Sequence, residues 1–282
     1  MTALEPGTLV EHGERRRWSL MIGAVVVGFF VLVALLGPFV MPHDPTAFVS
    51  DNAFSPAGPA AWLGADYLGR DLLSRLVDGT RITIAMALAA TLLAHLLGGT
   101  LGLLAAIRNG IVDACLSRLA DVLLSLPKII VGLVAVAALG SSVTVLIAVA
   151  GMVYASGVFR VARALGSDIV VMDFVRAARA RGERLPWMVF GEVLPNVLLP
   201  LATDFALRLS FAILFMSSLS FLGLGVQPPK ADWGGLVREN LSGLSGGALA
   251  PIFPALAIAA VTISLNLIVD ALGERRYQDT RA

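Results

Sequence analysis

The sequence predicts an all-α polytopic membrane protein with six transmembrane helices, and three observations carry that prediction. Apolar residues make up 57% of the 282 and charged residues only 15%, a balance too apolar for an ordinary soluble domain. The apolar residues gather in long uncharged runs, suited to the ~20 residues that cross a hydrocarbon core. Lysine and arginine fall mainly between those runs, where they set orientation in a bilayer. The net charge of +1 says little about partners. One cysteine, Cys115, excludes an internal disulfide or a thiolate zinc cluster, and reads as a small apolar side chain in a helix.

Each element follows in order. Met1 to Arg17 is polar, and an uncharged run from Ser19 to Met41 forms helix 1. That run is too long for the apolar core of a secretory signal and has no small-residue cleavage site, so it is a retained span. Pro42 to Asp78, rich in Pro, Gly, Asp and Ser, reads as a loop on the far side. Helix 2 runs from about Ile82 to Ile107 and carries His95 near its middle, read as a neutral histidine bonded to a neighbouring helix. Helix 3 covers about Val122 to Leu139, interrupted early by Pro127-Lys128, where the lysine is expected to snorkel to the near interface. Helix 4 covers about Val143 to Phe159 and is closed by Arg160 and Arg163.

Helix 5 begins after Leu194-Pro195-Asn196 and ends near Phe221. It holds Asp204 and Arg208 at the i, i+4 spacing of an internal ion pair. Gln227-Pro228-Pro229 and Asp232-Trp233-Gly234-Gly235 make a rigid outer loop with an expected interfacial tryptophan. Helix 6 covers about Ile252 to Val269, before a polar tail. The organisation is therefore a tail over 1–18, a span and far-side loop over 19–78, a core over 79–273 with a cytoplasmic helix at about 168–186, and a tail over 274–282.

Charge tests this topology. With both termini inside, fourteen arginines fall on the inner side and only Arg70, Arg75, Arg81, Lys230 and Arg238 on the outer. The positive-inside rule is met.

The longest basic interruption, Asp173 to Pro195, is thus cytoplasmic. Val171, Phe174, Val175 and Ala178 share one helical face at i, i+3, i+4 and i+7, with Asp173 and Arg176 on another. Gly182 is placed to stop the helix in the left-handed conformation, and Pro186 to start the next segment. Ala177 and Ala178 lack bulk, so a partner surface can approach the backbone there. Attraction to anionic lipid would account for the arginines, but not for the small pair, the glycine and the Leu-Pro at set distances.

Ala177-Ala178, Gly182 and Leu194-Pro195 resemble the EAA signature of membrane subunits of bacterial ATP-binding-cassette importers. Arg176 stands where the acidic residue is usual, and Glu192 where an isoleucine is usual. The segment Leu63 to Leu76, LGADYLGRDLLSRL, resembles a stretch of the dipeptide, oligopeptide and nickel permeases. The segment Leu219 to Pro229, LSFLGLGVQPP, followed by Asp232-Trp233-Gly234, resembles a second stretch of that group. The resemblance runs from helix 1 to Asp270 and is to the C-type permease, with one span ahead of a five-helix core.

The resemblance implies a type I importer permease fold and a function in uptake, most naturally of di- or oligopeptides, with nickel complexes or another small solute as alternatives. Its implied partners are a homologous permease, two cytoplasmic ATPase subunits, an extracytoplasmic binding protein and the lipid bilayer, with no nucleic acid. It implies ATPase coupling through Asp173, Arg176, Ala177, Ala178, Arg179, Gly182, Leu194 and Pro195. The chain is not itself an ATPase, because it lacks a G-x-x-x-x-G-K-[ST] phosphate loop; the resemblance implies a transport subunit rather than an enzyme, with ATP and magnesium in the partners. Asp204, Arg208, Ser210, Met216, Ser217 and Ser220 are the candidates for a translocation path, although serines also serve close helix packing. His12 and His43 lie outside the core and His95 stands alone, which argues against tight nickel coordination. An ion-coupled secondary transporter would show midspan carboxylates in paired, interrupted helices, and Asp204 is the one candidate for that.

Overall fold

The computed structural model describes the backbone of residues 6–279 and the side chains of residues 17–273. The charges at Glu5, Glu11, Glu14, Arg15 and Arg16, and those of the 274–282 tail, lie outside the described side chains. Among the described residues the chain is helical, with only isolated bridges between Phe48 and Arg70, Gly58 and Ala61, and Ala65 and Asp71. Five helical stretches are long and apolar enough to span a membrane: Arg17–Val40, Leu72–Arg108, Val143–Val170, Leu185–Phe221 and Ile252–Gly273. Among the described residues the count reaches six if the bent pair Gly110–Ser125 and Lys128–Leu139 is one span. The chain divides into two compact units, one comprising the residues up to Ile84 and from Ala231 onward, the other Ala85 to Lys230.

In the first unit, α1 (Pro6–Val40) lies against α11 (Ile252–Asp279). Gly23 permits the approach, since a Cβ there would sit 2.7 Å from the Ser264 carbonyl oxygen. The following helix, α2 (Leu72–Ala94), begins ten residues before the sequence expectation of Ile82. Asp71 caps it: Oδ2 accepts from the Ser74 amide at 3.1 Å and its hydroxyl at 2.5 Å, and such a cap contributes about 1 kcal/mol. The expected loop therefore ends at Asp71 rather than Asp78.

That loop is held by charge. Asp66 is fully buried and its Oδ2 accepts from Arg70 Nε at 2.8 Å and Arg75 Nη1 at 2.7 Å. Arg75 Nη1 also reaches Glu239 Oε2 at 2.7 Å, on α10 (Trp233–Asn240). The Tyr67 amide donates to Asn240 Oδ1 at 3.0 Å. Asp66, Arg70 and Arg75 of LGADYLGRDLLSRL thus form one buried ion network with Glu239, while Asp71 serves as the helix cap.

Trp233 corrects a second expectation, because it is fully buried rather than interfacial. Its indole N–H donates to Thr80 Oγ1 at 3.3 Å and its amide to Thr83 Oγ1 at 3.0 Å, so both donors are satisfied inside. Asp232 accepts from the Gly235 amide at 3.1 Å and caps α10, which turns the expected loop at 233–235 into a helix.

The second unit is built around α6 (Val143–Val170), whose neighbours are α3, α4, α5, α9 and the turn before α3. Helices within lipid gain little from excluding water, so close packing of small residues must hold them. Gly98 and Gly102, four residues apart, provide it. A Cβ at Gly98 would lie 2.2 Å from the Ala155 carbonyl oxygen, and one at Gly102 would lie 2.6 Å from that of Phe159. Between α2 and α3 (Thr100–Arg108) the backbone takes a π-helical turn at His95–Gly99.

The third expected span is two helices, α4 (Gly110–Ser125) and α5 (Lys128–Leu139), bent by 90°. Pro127, which lacks a backbone N–H, stands at the bend. On α4, Asp113 pairs with Arg163, whose Nη2 donates to Oδ2 at 2.6 Å, and Asp121 pairs with Arg160 at 3.0 Å. Both arginines lie within α6, which runs to Val170 instead of ending at Phe159. Cys115 lies on α4 and is exposed.

Candidate functional site

After α6 the chain turns at Val171 and Met172 into α7 (Asp173–Ala180). Asp173 in its first turn and Arg179 in its last complement the helix dipole. Val175 and Ala178 are fully buried, whereas Val171 and Phe174, expected on the same buried face, are exposed at 60% and 40%. The two alanines consequently point to different places: Ala178 into the chain's own core, Ala177 outward.

Val175 joins a core cluster with Leu103 and Ile107 of α3, Ala162 and Val170 of α6, and residues of the following hairpin. Burying such a side chain away from water contributes about 1.5–3 kcal/mol. Arg179 adds a polar tie, its Nη2 donating to the Ile107 carbonyl oxygen at 3.2 Å, one of the carbonyls left without an intrahelical partner at the end of α3. The stop is as expected at Gly182, with φ +78°. The Gly182 amide bonds to the Arg179 carbonyl at 3.0 Å and the Glu183 amide to that of Ala178 at 3.2 Å, the paired bonds of a Schellman motif.

The return strand of the hairpin is helical earlier than expected. It starts with α8 (Leu185–Trp187), with Pro186 in its first turn, and runs through a π-helical turn at Met188–Val193 into α9 (Leu194–Phe221). Pro195 has no amide to give a carbonyl four residues back, and the ladder is already in wide register there: the Leu194 amide bonds to the Val189 carbonyl, five residues earlier. Leu194 packs against the core cluster and Pro195 is exposed. The two departures from the family pattern fall in different settings. Glu192 accepts from Trp187 Nε1 at 3.3 Å and lies 3.6 Å from Arg181, joining the two arms of the hairpin. Arg176 is 68% exposed and meets only Asp173, at 3.8 Å.

Deeper in the same unit a polar group lies among apolar helices. His95 Nε2 is 3.3 Å from Asp204 Oδ2, and His95 Nδ1 is 3.0 Å from the Thr91 carbonyl oxygen. Arg208 Nε donates to the same Asp204 oxygen at 3.1 Å. The expected Asp204–Arg208 pair and the expected bond of His95 to a neighbouring helix are therefore one arrangement, a link invisible in the sequence because the residues are over a hundred positions apart. The Lys128 ammonium stands over the Tyr154 ring at 4.9 Å. Beside His95 lies an apolar cavity of about 370 Å³ lined by residues including Leu92, Phe190, Leu198 and Phe205.

The remaining path candidates are not with this group. Ser210, Met216, Ser217 and Ser220 are all buried within the chain. Burial of small side chains suits close packing of membrane helices.

The model of the binding-protein-dependent transport system inner membrane component family matches residues 98–281, and that of the N-terminal TM domain of oligopeptide transport permease C matches residues 15–59. The chain is 34% identical over 268 residues to the glutathione transport system permease protein of Pectobacterium atrosepticum, covering 91% of this chain and 87% of that one. It is 33% identical to the di/tripeptide transport system permease protein of Pseudomonas aeruginosa, over 89% and 84% of the two chains. To the dipeptide transport system permease protein of Haemophilus influenzae it is 30% identical, over 89% and 88%. Such proteins are transport subunits rather than enzymes. The chain belongs to the family of binding-protein-dependent transport system inner membrane components, as a multi-pass permease subunit of the oligopeptide permease C type.

Proposed function

We propose that this chain, with a homologous permease, forms the membrane path of an ATP-driven importer of di- or oligopeptides, and that α7 couples the path to a cytoplasmic ATPase. One observation carries the coupling role: α7 is rigidly tied to the chain by Val175, Ala178 and the Arg179–Ile107 bond, while Ala177 and Phe174 remain exposed. A short helix so built transmits a push without bending. The names of the three relatives support a peptide cargo.

In this reading both termini face the cytoplasm, two ATPase subunits hold the ATP and magnesium, and a binding protein delivers solute from outside. Closure of the ATPase dimer on ATP moves α7 and the core cluster together, turning the path from inward to outward facing. ATP supplies the bias by binding the two states unequally. The charge pattern fits this orientation, because the arginines of the α7 hairpin fall on the same side as the inner segments. The test is reconstitution with the partner permease, ATPases and binding protein in proteoliposomes. Peptide-loaded binding protein should stimulate ATP hydrolysis severalfold; stimulation by a nickel complex but by no peptide would overturn the cargo, and solute transport by this chain alone without ATP would overturn the mechanism.

A further inference from the structure

Lys128 opens α5, at the bend between α4 and α5. It is eleven residues from the Leu139 end of α5, about 17 Å along a helix axis. Tyr154, whose ring it covers, is likewise about 17 Å from the Val143 end of α6, and Arg208 is about 20 Å from the Phe221 end of α9. In a hydrocarbon layer about 30 Å thick these residues share the middle.

Lys128 and Arg208 are also brought to one seam. Tyr154 and Gly157 stand one turn apart on α6, and Arg208 and Phe211 one turn apart on α9. The Tyr154 hydroxyl donates to the Phe211 carbonyl oxygen at 3.0 Å, and the Arg208 guanidinium fills the space left at Gly157, 2.5–3.0 Å from where a Cβ would be. Two cations therefore flank one α6–α9 contact. Against them stands Asp204, already shared between Arg208 and His95. Among the described residues, Lys128 has no carboxylate within 4 Å. With His95 neutral the group carries a net charge of +1, at a depth where an uncompensated charge is costly and marks a functional site.

We infer that Lys128, with Arg208 beside it, is a carboxylate-binding subsite of the translocation path, and that its ligand is the terminal carboxylate of the transported peptide. This rests on the peptide reading above. A transient ligand fits better than a permanent partner because the Tyr154 face holds the ammonium by a cation–π contact, a support that a constantly paired lysine would not need. Binding exchanges that contact for a charge-assisted hydrogen bond to the carboxylate, and release restores it. The subsite reads a feature common to free peptides and leaves their side chains unread.

The test uses the full importer in proteoliposomes at saturating loaded binding protein, comparing uptake of one tripeptide as the free acid and as the C-terminal amide. Wild type should import the acid about tenfold faster than the amide, the worth of one charge-assisted bond. Lys128→Gln should bring the acid down to the rate of the amide and leave the amide unchanged, while Lys128→Arg retains the preference. Should Lys128→Gln fail to assemble, Lys128→Met is read in the same way, and the wild-type acid-to-amide ratio stands as a measurement by itself. A ratio near one in wild type, or an equal fall for both forms in the variants, would overturn the inference, the latter by showing that the lysine pairs with a carboxylate of the partner permease. If neither form is imported, the peptide reading itself has failed.

Discussion

Arg179 on α7 donates from Nη2 to the carbonyl oxygen of Ile107 at the end of α3, across 3.2 Å and 72 positions of sequence. This bond ties the surface helix to the rod that carries His95, so a displacement of α7 is felt along α3. Replacing Arg179 with Ala should leave the importer assembled but reduce binding-protein-stimulated ATP hydrolysis about threefold to tenfold, the range expected for losing one hydrogen bond of an exposed charged group. The ratio of stimulated to basal hydrolysis checks it, and an unchanged ratio counts against the tie.

Arg176 makes the opposite prediction. Its pair with Asp173 spans 3.8 Å between highly exposed side chains, and surface pairs of this kind contribute ~1 kcal/mol or less. Arg176→Glu should therefore leave thermal unfolding in detergent unchanged. Any effect should appear in ATPase binding, and unchanged binding would show that the position carries no charge-specific docking.

Ala178→Leu should behave as a core substitution, because Ala178 is fully buried. Overpacking there costs roughly 1–3 kcal/mol and should lower the midpoint of thermal unfolding. Ala177→Leu, one residue away and exposed, should unfold like wild type.

The loop network offers a fourth case. Asp66 accepts from two buried arginines, so Asp66→Ala leaves Glu239 to balance both of them. The expected loss is about 3–5 kcal/mol, seen as early protease cleavage within residues 41–71. Asp44, in the same loop but exposed and bonded only to Thr46 and Ala47, should tolerate Ala with little effect.

These contrasts show where the sequence was sufficient. The helix stop at Gly182 and the Asp204–Arg208 pair were legible because each depends on spacing within one segment, and the all-helical membrane fold because long apolar runs announce it. The π-helical turns at His95–Gly99 and Met188–Val193 were not, since a wide turn has no composition of its own. The helix starts at Leu72 and Trp233 were not legible because their caps, Asp71 and Asp232, stand in segments rich in loop-forming residues. The burial of Trp233 was hidden because the threonines that satisfy its donors lie 150 and 153 positions away. The joining of His95 to Asp204, and of Lys128 to Tyr154, depends on α6 bringing separate helices together, although Gly98-x-x-x-Gly102 was a readable sign of that contact.

The central claim is that the exposed side of α7 docks an ATPase. Its most direct measurement is cysteine cross-linking in the assembled importer, after replacing the exposed Cys115 with Ser. A cysteine at Ala177 should cross-link efficiently to the ATPase subunit, while one at Ala178, buried within the chain, and one at Trp62, on the loop assigned to the far side, should not. Absence of a cross-link from Ala177 in an importer that still hydrolyses ATP in response to loaded binding protein would contradict the assignment.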